Sequence, residues 1–297
     1  MSIGFIGLGH MGGPMVANLA KAGHDVTGFD VVSAAGDQAR QNGLRVANTL
    51  EEAVAGCDTV LTMLPAGRHV LNVWSQLMSL VPEGTLLIDC STIDIDSARQ
   101  AHAMAAAHSC PSLDAPVSGG TAGAASGGLT FMVGGEQAVF AKAEPILQTM
   151  GKRIIHCGGA SMGQAAKICN NMILGISMIA VGEAFVLAEK LGLAHQALFD
   201  VASVSSGQCW SLTTYCPVPG PVPTAPSNDG YRPGFAAALM LKDLDLSQAA
   251  AEVSGADTPL GRAALRLYRQ FSESGGADRD FSAIIDMIRA QSVDRRG

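Results

Sequence analysis

The sequence predicts an α/β domain over residues 1–162 followed by an all-α domain over residues 163–297, joined by a long helix. Three observations predict this. Up to about residue 160, short apolar runs alternate with helical stretches, the pattern of parallel β-α units. After Cys157 the β pattern stops. A proline-free run from Gly163 to Lys190 then follows, enough at about 1.5 Å per residue for a helix of roughly 40 Å.

In chain order, the strands are expected at Ile3–Ile6, Asp25–Phe29, Thr59–Leu64, Leu86–Cys90, Ser112–Ala115, Leu129–Val133 and Arg153–Cys157. Several are apolar on both faces, as strands covered by helices on both sides must be. Helical segments between them include Pro14–Ala22, His69–Leu80 and Ala98–His108, the last read as a surface helix carrying His102 and His108. The charge-free stretch Ile168–Gly182 has 15 residues. That is short of the roughly 20 needed to cross a bilayer, so it reads as a buried helix. Further helices are expected at Gln196–Val204, Phe235–Val253, Leu260–Phe271 and Phe281–Arg289. Six of the 13 prolines fall between Pro217 and Pro233, which marks an irregular loop.

Composition narrows the functional classes. The chain has 297 residues, 48% apolar and 15% charged, against about 25% charged in an average soluble domain, so it folds around a substantial core. A net charge of -7 and a pI near 5.4 argue against nucleic-acid binding, which needs a surplus of Lys and Arg. The seven cysteines are scattered and include no Cys-x-x-Cys pair, which argues against a disulfide framework or a structural zinc site. No basic start with an apolar core marks a signal peptide. A cytoplasmic protein that binds neither membrane nor nucleic acid is the expectation.

Glycine is over-represented, at 35 residues, and the most informative cluster follows the first strand: Gly7-Leu8-Gly9-His10-Met11-Gly12. In a strand-loop-helix setting the first glycine permits a tight turn, the second lets a pyrophosphate approach the backbone, and the third lets helix pack on strand. The helix N-terminus favours an anion. Alone, such a loop also reads as a flexible turn. The second strand, however, ends at Phe29-Asp30, and Asp30 stands 18 residues beyond Gly12, where an acid accepts the ribose hydroxyls of NAD. Val31 and Val32 follow, with no arginine for a 2′-phosphate, which favours NAD over NADP.

Two further loops follow strand ends, Met63-Leu64-Pro65-Ala66 and Cys90-Ser91-Thr92. Each reads either as turn chemistry or as a cofactor contact, because ligands of open α/β sheets bind at strand C-termini. A nicotinamide cofactor carries the hydride, so the protein must supply a proton acceptor. The histidines form no convincing pair, and no compact metal-ligand cluster appears. Lys167 stands out instead, in Gln164-Ala165-Ala166-Lys167-Ile168-Cys169-Asn170-Asn171. Asn170 and Asn171 share its helix face at i+3 and i+4. Burial in an apolar helix lowers a lysine pKa and suits a general base; snorkelling to solvent is the other reading. The loop Asp114-Ala115-Pro116-Val117-Ser118-Gly119-Gly120-Thr121 can cradle a carboxylate on consecutive amides, or is simply kept small for packing. Trp210, beside Ser206-Gly207, either borders a substrate pocket or packs in the core.

Four segments in order resemble the β-hydroxyacid dehydrogenases: Gly4 to Met15, Asp114 to Ala125, Gly159 to Asn171, and Pro233-Gly234-Phe235 through Leu244. The resemblance covers essentially the whole chain. It implies a Rossmann domain followed by a helical domain, with the active site in the cleft between them. It also implies that Lys167 accepts the proton, that Asn171 holds the substrate, with Asn170 beside it, and that Ser118, Gly119 and Gly120 bind the substrate carboxylate. On the same basis Leu64, Pro65 and Thr92 touch the cofactor and Lys242 approaches the nicotinamide side. The implied reaction oxidises a short 3-hydroxy acid, 3-hydroxyisobutyrate foremost, with oxidation of serine or the reverse reaction, reduction of tartronate semialdehyde, as alternatives. The family is commonly dimeric or tetrameric. A noncatalytic NAD sensor is the reading from another class.

Overall fold

A computed structural model describes residues 1–292, so the last five residues of the second expected domain lie outside the described residues. The chain forms two compact units, Met1–Lys167 and Ile168–Gly297. The first runs β1 (Ser2–Ile6), α1 (Gly12–Lys21), β2 (Asp25–Phe29), α2 (Ser33–Gln41), α3 (Leu50–Val54), β3 (Thr59–Thr62), α4 (Gly67–Leu80), β4 (Leu86–Asp89), α5 (Ile95–Ala107), β5 (Ser112–Asp114), β6 (Val117–Ser118), α6 (Gly120–Ser126), β7 (Leu129–Gly134), α7 (Gln137–Gln148) and β8 (Gly151–Gly158). Then α8 (Met162–Leu191) begins in the first unit and continues into the second, which adds α9 (His195–Ala202), α10 (Trp210–Thr213), α11 (Ala237–Ser254), α12 (Pro259–Phe271) and α13 (Ile284–Gln291).

The sheet order is β2-β1-β3-β4-β5-β7-β6, with β8 on β7. Strand residues alternate between two cores. Ile3, Phe5, Leu61 and Ile88 pack with Met15 and Leu19 of α1 on one face. On the other, Ile6, Val60 and Leu87 pack with Val70, Trp74 and Leu77 of α4 and with Ala98 and Ala101 of α5. Each fully buried large side chain contributes roughly 1.5–3 kcal/mol, which is why these short strands are so uniformly apolar. The chain leaves β1 for β2 on one side and β3 lies on the other, so the order reverses at β1. Ligands of such sheets bind outside the strand C-termini at this point.

The all-parallel expectation fails at one edge. Strands β2, β1, β3, β4 and β5 are parallel, but β7 runs antiparallel to β5 and β6. The reason is the short connection from Gly119 to Gly128: antiparallel neighbours accept such a link, whereas a parallel pair needs a longer crossover. Gly119 and Gly120 take φ of 132° and 60°, turning the chain out of β6 into α6, so the expected loop there is strand and helix.

Among the described residues of the second unit, no strand occurs. Its core joins Met178 and Ile179 of α8 to Met240 and Leu244 of α11 and to Tyr268 and Phe271 of α12. The proline-rich stretch is irregular but packed: Val218 and Val222 are buried with Val181 and Phe185, and the Tyr231 hydroxyl donates to the Pro217 carbonyl at 2.8 Å. Helix α8 is longer and less enclosed than expected. Its 30 residues are long and apolar enough to cross a membrane by length and composition alone, yet only 50% of its most apolar window is buried. Ile173, Leu187 and Leu191 are exposed along one face.

Candidate active site

The glycine loop is shaped by contacts that differ from one glycine to the next. Gly7 has φ 99°, and a Cβ there would lie 2.2 Å from the Met63 carbonyl oxygen; one on Gly12 would lie 1.8 Å from the Gly7 oxygen. Packing explains both. Gly9 differs: a Cβ there would meet no protein atom within 4 Å, and its φ is not positive. Its bareness serves neither packing nor backbone strain, which leaves room for a ligand's approach. Leu8 is buried, and its amide donates to Asp30 Oδ2 at 2.7 Å, while Val32 N donates to Asp30 Oδ1 at 2.8 Å. A carboxylate has about four lone-pair sites, so Asp30 can brace the loop and still accept ribose hydroxyls. His10 is exposed, and Met11 is half-buried at the start of α1. The loop thus fits a dinucleotide.

The next two loops are tied by a buried polar chain. Leu64 N donates to Ser91 Oγ at 2.7 Å, and Ser91 Oγ donates to Asp89 Oδ1 at 2.6 Å. Thr62 Oγ1 donates to the same oxygen at 2.7 Å and accepts from Trp74 Nε1 at 3.2 Å. Asp89 is 3% exposed, and its Oδ2 has no hydrogen-bond partner among the described residues. Burial pushes its carboxyl up to about 6 against the opposing hydrogen bonds from Ser91 and Thr62. Pro65 is exposed and Thr92 half-buried.

The start of α8 is fastened to the ends of β4 and β5. Asp114 Oδ1 accepts from Ser161 N and Asp114 Oδ2 from Gln164 N, both at 2.8 Å, satisfying amides that a helix start leaves without partners. The Gln164 side chain, fully buried, accepts from Ile93 N at 3.1 Å and donates to the Ser91 carbonyl at 2.7 Å. Lys167, one turn on, is 7% exposed. His102, expected on a surface, is enclosed: its ring bonds Ser112 Oγ at 2.8 Å and Asp114 Oδ1 at 2.9 Å, because its face of α5 turns toward β5. Ser118 pairs with Thr130 in the β6–β7 ladder and is followed by Gly119 and Gly120.

In the second unit, Asn171 is 2% exposed. Its amide nitrogen donates to Asp243, and its oxygen accepts from Asn170 Nδ2 at 2.9 Å. Lys242 is half-buried beside Asp243 on α11. Trp210 is not a core residue: it is 49% exposed and stacks on Tyr215 at 4.9 Å. Tyr215 in turn donates to the fully buried Asp280 at 2.8 Å, and burial together with Asp280 pushes its hydroxyl pKa up.

Residues 2–159 match the family model for the NAD-binding domain of 6-phosphogluconate dehydrogenase, and residues 161–288 match that described as NAD-binding of NADP-dependent 3-hydroxyisobutyrate dehydrogenase. A probable 3-hydroxyisobutyrate dehydrogenase of Mycobacterium tuberculosis is 50% identical over 291 residues, covering 98% of this chain and 99% of that protein. The chain belongs to the 3-hydroxyisobutyrate dehydrogenase family. An NAD-dependent L-serine dehydrogenase of Pseudomonas aeruginosa is 46% identical over 285 residues, covering 95% of this chain and 96% of that one. A solved structure of the Mycobacterium tuberculosis 3-hydroxyisobutyrate dehydrogenase with L-serine superposes with a TM-score of 0.94 at 50% identity, covering 97% of this chain and 99% of that one. This 3-hydroxyisobutyrate dehydrogenase family member is an NAD-dependent oxidoreductase of small 3-hydroxy acids.

In this dehydrogenase, sequence reasoning overlooked Asp89, Ser91, Gln164 and Asp243. Gln164 alone carried a local signal: it stands three residues before Lys167 and so shares its helix face.

Proposed function

We propose that the enzyme oxidises 3-hydroxyisobutyrate to methylmalonate semialdehyde, with Lys167 taking the hydroxyl proton. The observation that carries this reading is the placement of Lys167: nearly closed from water, on the helix turn that Asp114 and Gln164 fasten to the ends of β4 and β5. Gly7, Leu8, Gly9, His10, Met11 and Gly12 hold the pyrophosphate, and Asp30 holds the ribose. Leu64, Pro65, Thr92 and Lys242 complete the cofactor contacts on the strength of the family resemblance. Bound NAD supplies the hydride acceptor. Ser118, Gly119 and Gly120 orient the substrate carboxylate, and Asn170, Asn171 and Trp210 confine the rest of the acid. Lys167 must be neutral to accept a proton, so oxidation quickens as pH rises.

L-serine is the second reading, favoured by the Pseudomonas aeruginosa relative and by the ligand in the superposed structure. We assign a homodimer or homotetramer, supported by the exposed apolar face of α8 at Ile173, Leu187 and Leu191.

The test is NADH formation from 3-hydroxyisobutyrate, L-serine and glycerate, each with NAD and NADP. The proposal expects 3-hydroxyisobutyrate with NAD to give the highest kcat/KM; serine exceeding it selects the second reading. Lys167→Ala should lose most turnover, about 10²-fold or more as for a missing general base, with NAD affinity nearly unchanged. Retained turnover removes Lys167 from the mechanism.

A further inference from the structure

The buried Gln164 side chain bonds the backbone on both sides of Thr92. Its Oε1 takes the amide of Ile93 and its Nε2 gives a hydrogen to the carbonyl of Ser91, spanning 71 and 73 positions of sequence. Its own amide is held by Asp114 Oδ2. Three bonds therefore define this residue, and its neutral amide side chain supplies the acceptor and the donor used in two of them. Its next helical turn carries Lys167, at i+3 on the same face. A side chain serving only to fill space would not need both polar atoms satisfied by one stretch of main chain.

We propose that Gln164 is a positioning residue that holds the Thr92 segment in register with Lys167, so that cofactor contact and proton acceptor keep one fixed spacing. The proposal deepens the reading of Lys167 as base and of Thr92 as a cofactor contact, and rests on it. The glycine loop and Asp30 are anchored by other bonds, from Gly7 N to Phe29 O and from Leu8 N to Asp30. Cofactor affinity therefore survives a change at Gln164, and the rate of the chemical step does not. Small displacements of reacting groups lower rates by up to about a hundredfold without removing binding.

The experiment compares Gln164→Met and Gln164→Glu with the parent enzyme, using 3-hydroxyisobutyrate and L-serine with NAD. Gln164→Met keeps length and shape without either hydrogen bond. Its kcat should fall roughly tenfold to a hundredfold, while KM for NAD stays within about threefold, since the bonds that fasten the glycine loop and Asp30 remain. Gln164→Glu keeps the acceptor for Ile93 N but, once ionised, cannot donate to Ser91. Protonation restores a neutral group with one donor and one acceptor. The ionisable groups around the site, Asp89, Asp114, His102 and Lys167, are common to variant and parent, so the readout is the ratio of their rates. That ratio should rise as pH falls.

A Gln164→Met enzyme with parental kcat, or a Gln164→Glu ratio independent of pH, overturns the proposal; the second measurement decides if the Met variant does not fold. Lys167→Ala separates the two claims. If it keeps turnover, the base assignment falls and the proposal with it. If it is inactive while Gln164→Met turns over normally, only the positioning role is lost.

Discussion

The carboxylate of Asp30 accepts a hydrogen bond from the amide of Leu8 at 2.7 Å, so the acid that follows β2 is a structural brace of the glycine loop. A substitution there acts on the loop and, under the proposed reading, on the ribose at once. Asp30→Asn retains an acceptor for Leu8 N but removes the charge. Hydrogen bonds to charged groups are worth about 1.5–3 kcal/mol, so KM for NAD should rise roughly tenfold. The kcat/KM ratio of NAD to NADP should fall by a larger factor, because a neutral side chain no longer repels a 2′-phosphate. An unchanged ratio would show that Asp30 does not discriminate between the cofactors.

Gly7 and Gly9 make a matched pair of tests. Gly7→Ala forces a Cβ against the Met63 carbonyl at positive φ, and should lower the melting temperature as well as NAD affinity. Gly9→Ala meets open space, and should leave the melting temperature within about a degree or two, as for a surface substitution, while weakening NAD binding. Intact NAD affinity in Gly9→Ala, read by fluorescence titration, would place the pyrophosphate elsewhere.

Asp89 gives a pH signature of stability. Its carboxyl is raised from 3.8 to about 6, first by burial. A raised carboxyl holds its proton more tightly folded than unfolded. Its stabilising contribution is therefore fully present below about pH 4 and is lost as pH rises through about 6. The loss amounts to about 3 kcal/mol at most, at 1.36 kcal/mol per unit. Asp89→Asn does not titrate, so its denaturant-unfolding free energy should vary less between pH 4 and 7 than the parent's. Parallel profiles would mean that Asp89 is ionised throughout this range.

Glu189 at the end of α8 has the opposite sign. Arg289, through a hydrogen bond at 2.8 Å, holds the Glu189 carboxyl below its usual range, with His195 adding to the effect. Its contribution is present above the unfolded carboxyl pKa and is lost on acidification through the lowered value. The group is partly exposed, so Arg289→Ala should cost only about 1 kcal/mol at neutral pH, with the deficit shrinking toward acid. A deficit of several kcal/mol would mark the pair as a core ion pair.

Where periodicity and local motifs carry the information, the sequence was a good guide. The strand Asp25–Phe29 is found at its expected bounds, and α8 extends the expected helix by one residue at each end. Legibility fails where partners are distant. Gln164 stands one helical turn before Lys167, which is local, but it meets Ser91 and Ile93 across more than 70 positions, and no local pattern announces those partners. His102 looked like a surface residue because alanines around it made its helix face ambiguous; burial came from Asp114 and Ser112 of the neighbouring strand. The antiparallel turn of β7 was hidden because strand direction depends on connection length, which a glycine-rich stretch disguises.

Fastening α8 at its first turn also fixes its rotational phase. Successive residues of an α-helix step by about 100° around the axis. A single residue inserted between Gln164 and Lys167 would swing the amine by that angle and carry Asn171 with it, though every side chain kept its identity. One inserted after Asn171 would spare both and rotate only the remainder of the helix. The spacing from Asp114's anchor to Lys167 therefore sets the direction in which α8 presents that side chain.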